Sequence, residues 1–252
     1  ANVRAQQGTQ SMVWNRPLRV TGAASENNGK VVVENLSIDS DFFELVGKAS
    51  LAEGNFTFRG DLAQLKQQLG NLMDLSQYEV AGQIGGRLSW TEKPGEPPVG
   101  QWAPVQFEGN FVVERPLISA PGFHRWTEQK MQVELNGKIQ PHSNGGTTVD
   151  SGHLGLLVGG EVMSADLLQP LSLQGVNYIQ SLDGLQATCT TTGSLDRWLD
   201  HLRNLFDLPQ FELAGGLNAK YDLNMADSVL RISELTVTAN QFSFEGYGAK
   251  IQ

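Results

Sequence analysis

The chain has 252 residues, 40% of them hydrophobic and 18% charged, which excludes a disordered or merely solvating segment and suffices for one large β domain or two small ones. Its formal net charge of -9 is spread along the chain and argues against a nucleic-acid partner, which needs a basic stripe. A single cysteine, Cys189, excludes an internal disulfide, and no apolar run approaches the ~20 residues of a membrane-spanning helix.

In chain order, residues 1–15 are polar and aperiodic, and a flexible end is expected there. Asn27-Asn28-Gly29 is a turn signal. Leu62, Leu65, Leu69, Leu72 and Met73 follow helical spacing behind Asp61, a candidate N-cap, and predict a helix near 61–73. Next, Tyr78, Val80, Gly82, Ile84, Gly86, Leu88 and Trp90 alternate with polar Glu79, Gln83, Arg87 and Ser89, the mark of a strand with one dry face. The segment Thr91 to Pro104, with Pro94, Pro97 and Pro98, reads as a long loop.

Period two returns at Phe107, Gly109, Phe111 and Val113, at Met131, Val133, Leu135, Gly137 and Ile139, and at Leu154, Leu156 and Val158. A turn at Ser143-Asn144-Gly145-Gly146 separates two of these runs. Leu195, Trp198, Leu199, Leu202, Leu205 and Phe206 behind Ser194 predict a second helix near 194–206. Helices of about three turns are marginal alone, and the nearest apolar surface for each is the strand that follows it. The chain starts without Met and ends in strand-like Tyr247 to Gln252, so it reads as part of a longer protein.

The two helical segments belong to a repeat. Gly60 through Gly82 aligns without gaps on Gly193 through Gly215, at an offset of 133 (193 − 60), and Gly60, Leu62, Leu69, Asn71, Leu72, Asp74, Leu75, Gln77, Glu79, Ala81 and Gly82 recur unchanged. A second match joins Val33-Glu34-Asn35-Leu36-Ser37-Ile38 to Ile232-Ser233-Glu234-Leu235-Thr236-Val237. Both switch their apolar phase at the same point, as a β-bulge does. The repeating unit is strand–bulge–strand, helix, long strand, and repetition at this period favours an elongated array. Two units are expected, 16–160 and 161–252.

The run Leu62–Met73 leading through Asp74-Leu75-Ser76-Gln77 into Tyr78-Glu79-Val80-Ala81-Gly82, its twin ending Phe211-Glu212-Leu213-Ala214-Gly215, and the final Leu230–Val237 with Phe244-Glu245-Gly246 together resemble the AsmA/TamB superfamily of bacterial envelope proteins. The resemblance implies a mainly β fold: an elongated, curved antiparallel sheet forming an open, taco-like groove, with two short amphipathic helices. It implies a periplasmic segment of a membrane-anchored envelope protein that conducts phospholipid toward the outer membrane or supports outer-membrane assembly. It carries over no catalytic residue, metal or cofactor. The implied partners are phospholipid acyl chains, with envelope proteins or neighbouring repeats of the same chain.

A groove for acyl chains needs a continuous apolar face without fixed polar partners, and period-two strands can supply one. Each CH₂ shielded from water contributes ~0.8 kcal/mol, so such a site needs no hydrogen bond. The candidates for that face are Phe56, Phe58, Val80, Ile84, Leu88, Leu213, Leu217, Tyr221, Phe242 and Phe244. The alternative is that these residues form the packed core of a non-catalytic β-sandwich or solenoid module.

Other chemistry is poorly served. His124, His142, His153 and His201 lack metal-ligand spacing. Asp150-Ser151-Gly152-His153 holds triad residue types but reads as a polar turn, and Gly152 to Gly160 as a strand with flanking turns. Asp39 and Asp41 read as solvated turn carboxylates. Trp90, Trp102 and Trp126 could form a sugar platform, with packing favoured for Trp90 and Trp126 the more exposed-looking.

Overall fold

The computed structural model describes residues 4–7, 10–13, 18–27, 30–50, 52–70, 75–93, 103–121, 125–142, 146–173, 182–205, 208–227, 229–246 and 249–251. The helical positions Leu72, Met73 and Phe206, the loop 94–102 with Trp102, His124, and the turn residues 28–29 and 143–145 lie outside them.

In chain order the elements are β1 (Arg4–Gln7), β2 (Gln10–Val13), β3 (Arg19–Asn27), β4 (Lys30–Asp39), β5 (Phe43–Ser50), β6 (Glu53–Asp61), α1 (Leu62–Leu69), β7 (Glu79–Glu92), β8 (Val105–Ser119), β9 (Trp126–Thr127), β10 (Lys130–Pro141), β11 (Thr147–Val158), β12 (Glu161–Leu167), β13 (Leu171–Leu173), β14 (Gln186–Ser194), α2 (Leu195–Leu205), β15 (Glu212–Ala226), β16 (Val229–Gly246) and β17 (Ala249–Ile251). β1 and β2, within the segment expected to be a flexible end, pair as a separate two-stranded sheet.

All other strands join one antiparallel, unclosed sheet of fifteen strands. Its path runs β17-β16-β15-β14-β12-β11-β10-β8-β7-β6-β5-β4-β3, with β9 on β8 and β13 on β11 off the path. The fold is therefore mainly β, one long open antiparallel sheet with two short helices, as the alternating pattern and the two helical stripes imply.

Antiparallel alternation puts the ends of β6, β8, β11 and β14 and the starts of β7, β10, β12 and β15 on one rim. Both helices interrupt the chain at that rim, α1 between β6 and β7 and α2 between β14 and β15. Each packs chiefly on the strand that follows it. α1 starts where the Gln64 N–H donates to Asp61 Oδ1 at 2.9 Å, an N-cap that satisfies one of the orphan donors of the first turn. Gln83 Nε2 on β7 donates to the other Asp61 oxygen at 2.8 Å, tying the cap to the sheet.

The phase switches read from the sequence are bulges. Asn35 and Glu234 have φ of 52° and 50°, and the pairing register slips beside each. Two readings need correction. Asp150 to His153 lie within β11, not in a turn, because Val149 and Leu154 on either side are held by long pairings to β10. Trp126 is 8% exposed and belongs to the core: it sits on β9 opposite Ile118, where pairing with β8 folds the Trp126 loop back onto the rim.

Candidate functional site

The register carries a single rung across twelve strands: Val20, Ile38, Leu45, Phe58, Gly86, Phe111, Val133, Leu156, Met163, Thr191, Ala219 and Val237 are successive Cα partners from β3 to β16. Eleven of the twelve are apolar or glycine. Pleating turns the neighbouring rung to the other side, and it reads Thr21, Ser37, Val46, Thr57, Arg87, Asn110, Glu134, Gly155, Ser164, Thr190, Lys220 and Thr236. The sheet thus has one apolar and one polar face. At a strand spacing of about 4.8 Å the apolar rung is about 50 Å long.

Aromatic rings pave the first part of this face. Phe58 lies 6.5 Å from Phe43 and 5.7 Å from Phe111, and Phe56 lies 5.5 Å from Trp90, centroid to centroid. Gly54 lies beneath Trp90: a Cβ there would come within 2.2 Å of the indole, so the glycine makes room for the ring. The one polar residue of the rung, Thr191, is partnered by the Tyr221 hydroxyl at 3.2 Å. The polar face carries cross-strand pairs instead: Lys138 with Asp150 at 3.0 Å, His153 with Asp166 at 2.7 Å, Thr188 with Asp222 at 2.8 Å, and Ser164 with Thr190 at 2.6 Å.

Nine of the ten candidates form two groups, and Val80 stands apart. Phe56, Phe58, Ile84 and Leu88 lie together on β6 and β7, since Phe56 faces Leu88, Phe58 faces Gly86 and Ile84 faces Gly60. Leu217, Tyr221, Leu213, Phe242 and Phe244 lie on β15 and β16, with five strands of the path between the two groups. Leu213 pairs with Phe244, and both line a cavity of about 400 Å³ beside α2 with Asp200 and Arg203. Val80 stands at the rim, lining a cavity of about 600 Å³ with Lys66, Gly70 and Leu75 beside α1.

The stretch between the groups is completed by alternating residues outside the ten candidates, above all Phe107, Phe111, Val133 and Leu156. Their signal was the shared period of β8, β10 and β11.

Burial separates a covered central part of the apolar face from an uncovered remainder. Only nine hydrophobic residues are buried among those described, and Val113, Val158, Ala187, Cys189 and Ala219 are the ones on the apolar face of the central strands. The aromatic candidates Phe56, Phe58 and Phe244 remain half-buried, and Phe242 is 40% exposed. At the β16 margin exposure rises to 61% for Ile232 and 60% for Leu235. A sandwich core would bury these side chains between two layers.

Among the described residues no group of three or more His, Cys, Asp or Glu side chains is arranged to hold a metal, and no helix is long and apolar enough to cross a membrane. Comparison with protein-family models, with curated proteins and with solved structures finds no match to this chain.

Proposed function

We propose that this chain is a segment of a bacterial cell-envelope protein, in the periplasm, that binds or conducts phospholipid acyl chains along the apolar face of its sheet and has no catalytic role. The observation that carries the reading is the rung from Val20 to Val237, apolar or glycine at all positions but Thr191, whose side chains stay partly exposed except at Thr191 and Ala219. Three physical points support it. The rung is longer than an acyl chain, so a lipid has somewhere to slide. Its hydroxyls are already partnered within the sheet, so no position holds a headgroup fast. Each CH₂ laid on it is worth ~0.8 kcal/mol wherever it lies, which gives binding without a fixed site. The resemblance to the AsmA/TamB superfamily points the same way.

The test is site-specific photo-crosslinking in intact cells. A benzophenone side chain in place of Phe58 or Phe111, on the apolar rung, is expected to give phospholipid adducts by mass spectrometry. The same group in place of Thr57 or Asn110, one residue away on the polar face, is expected to give none. Equal labelling of the two faces, or protein adducts alone at positions 58 and 111, would refute the reading.

A further inference from the structure

The repeat sets two helices side by side for comparison, and they are fastened differently. At the offset of 133 (201 − 68), His201 of α2 stands where α1 has Gln68. Both side chains are turned inward: Gln68 is 6% exposed and the His201 side chain 12%. Only the second is met by charge. His201 Nδ1 lies 2.8 Å from Glu128 Oε1, beside β9, and His201 Nε2 lies 3.5 Å from Glu161 Oε2, at the start of β12. Glu161 is 2% exposed, and its Oε2 and His201 Nε2 are both fully enclosed, facing each other with no hydrogen-bond partner.

Glu161 is two residues from Met163 on β12, so it shares the apolar phase, and its carboxylate lies under α2. The helix therefore sits over the rim of the apolar face. We propose that His201 is a proton-operated clasp that holds α2 down on that rim, a control that α1 lacks.

Ionised carboxylates only accept, and a neutral imidazole has one N–H to give. With a carboxylate oxygen facing each ring nitrogen, only the imidazolium turns an N–H toward both. Loss of a ring proton turns a lone pair toward a carboxylate that water cannot reach. The clasp is therefore closed while the ring holds both protons and loosens when one is lost.

Other charges around α2 do not replace it. Arg197, on the same helix, lies 3.6 Å from Glu161 Oε1 and donates to the Gly159 carbonyl. Asp200 and Arg203 pair with each other at 3.7 Å. β15 and β16 bring Glu212 and Glu245 to the cavity beside α2, and β14 brings Thr192, Gly193 and Ser194, none of them charged. The clasp does not depend on what occupies the apolar face.

Hydrogen exchange read by mass spectrometry tests it, with rates corrected for intrinsic pH dependence and α1 as the internal reference. Between about pH 6 and about pH 8.5, protection of residues 195–205 is expected to fall roughly tenfold relative to residues 62–69. His201→Gln, the residue the other repeat uses, is expected to make the two helices respond alike. The inference is overturned if wild-type α2 and α1 change in parallel, or if His201→Gln keeps the wild-type pH profile. The wild-type comparison decides alone should the variant fail to fold.

Discussion

Gly82 and Gly215, one repeat apart, hold the same left-handed backbone, φ +124° and +125°. Each lies opposite a bulge in the next strand, Gly82 against Arg115 (φ 50°) and Gly215 against Gln241 (φ 53°). A Cβ would come within 2.9 Å of the Glu114 carbonyl oxygen at Gly82 and within 2.6 Å of the Asn240 carbonyl oxygen at Gly215. The repeat therefore conserves a paired device, a glycine in one strand and an extra residue in its neighbour, which bends the sheet at its helical rim.

Alanine at either glycine is expected to cost about 1–3 kcal/mol of unfolding free energy, from the left-handed backbone and the carbonyl clash together. Gly85→Ala is the control: it has an ordinary φ, its new methyl would meet the Phe58 carbonyl oxygen at 3.6 Å, and it should be near neutral or slightly stabilising. Urea denaturation of the three variants checks this. Equal costs at Gly82 and Gly85 would mean that the bulge does not need the glycine.

Asp61 predicts an acid limit for α1. Its carboxyl is held below the ordinary aspartate range, first by the Gln64 backbone N–H, against the opposing effect of desolvation, and with help from the Gln83 amide. A lowered folded value means the contribution is present above the unfolded value and is lost as pH falls through the folded one. Asp61→Ala is expected to cost about 1 kcal/mol at neutral pH, and Asp61→Asn less, because asparagine also caps. The gap between wild type and Asp61→Asn should close as the solution is acidified, measured by denaturation at a series of pH values.

Cys189 predicts a silent thiol. It is 2% exposed on the apolar face, paired with Ala165 on β12 and Tyr221 on β15. Burial pushes its pKa up, and the carboxylates of Asp222 and Asp166 push the same way. At a given pH it therefore carries less thiolate than a free cysteine. Labelling by an aromatic disulfide reagent at neutral pH should be slow in the native protein and immediate in denaturant, with a rate that reports opening of the central strands. Native labelling as fast as that of free cysteine would contradict its place in the sheet.

Some of this was legible residue by residue. Alternation at Phe107, Met131 and Leu154 marked one dry side of each strand, because the pleat fixes side-chain direction locally. The stripes behind Asp61 and Ser194 marked the helices for the same reason, and the phase switches at Asn35 and Glu234 marked bulges. Other features depended on chain segments distant in sequence. Trp126 looked exposed beside Pro121 and Gly122, yet β9 folds it onto β8. His201, Glu128 and Glu161 carry no spacing signal, because a helix, a short strand's end and a strand's start bring them together.

The sequence by itself determined that each strand has an apolar side, that two helices interrupt them, and that the pattern repeats. Only the tertiary structure decided that those sides join into one rung and that, among the described residues, no second layer covers it at Phe242 or Ile232. Period two records which way a side chain points; what lies in front of it is set by pairings between residues far apart in the chain.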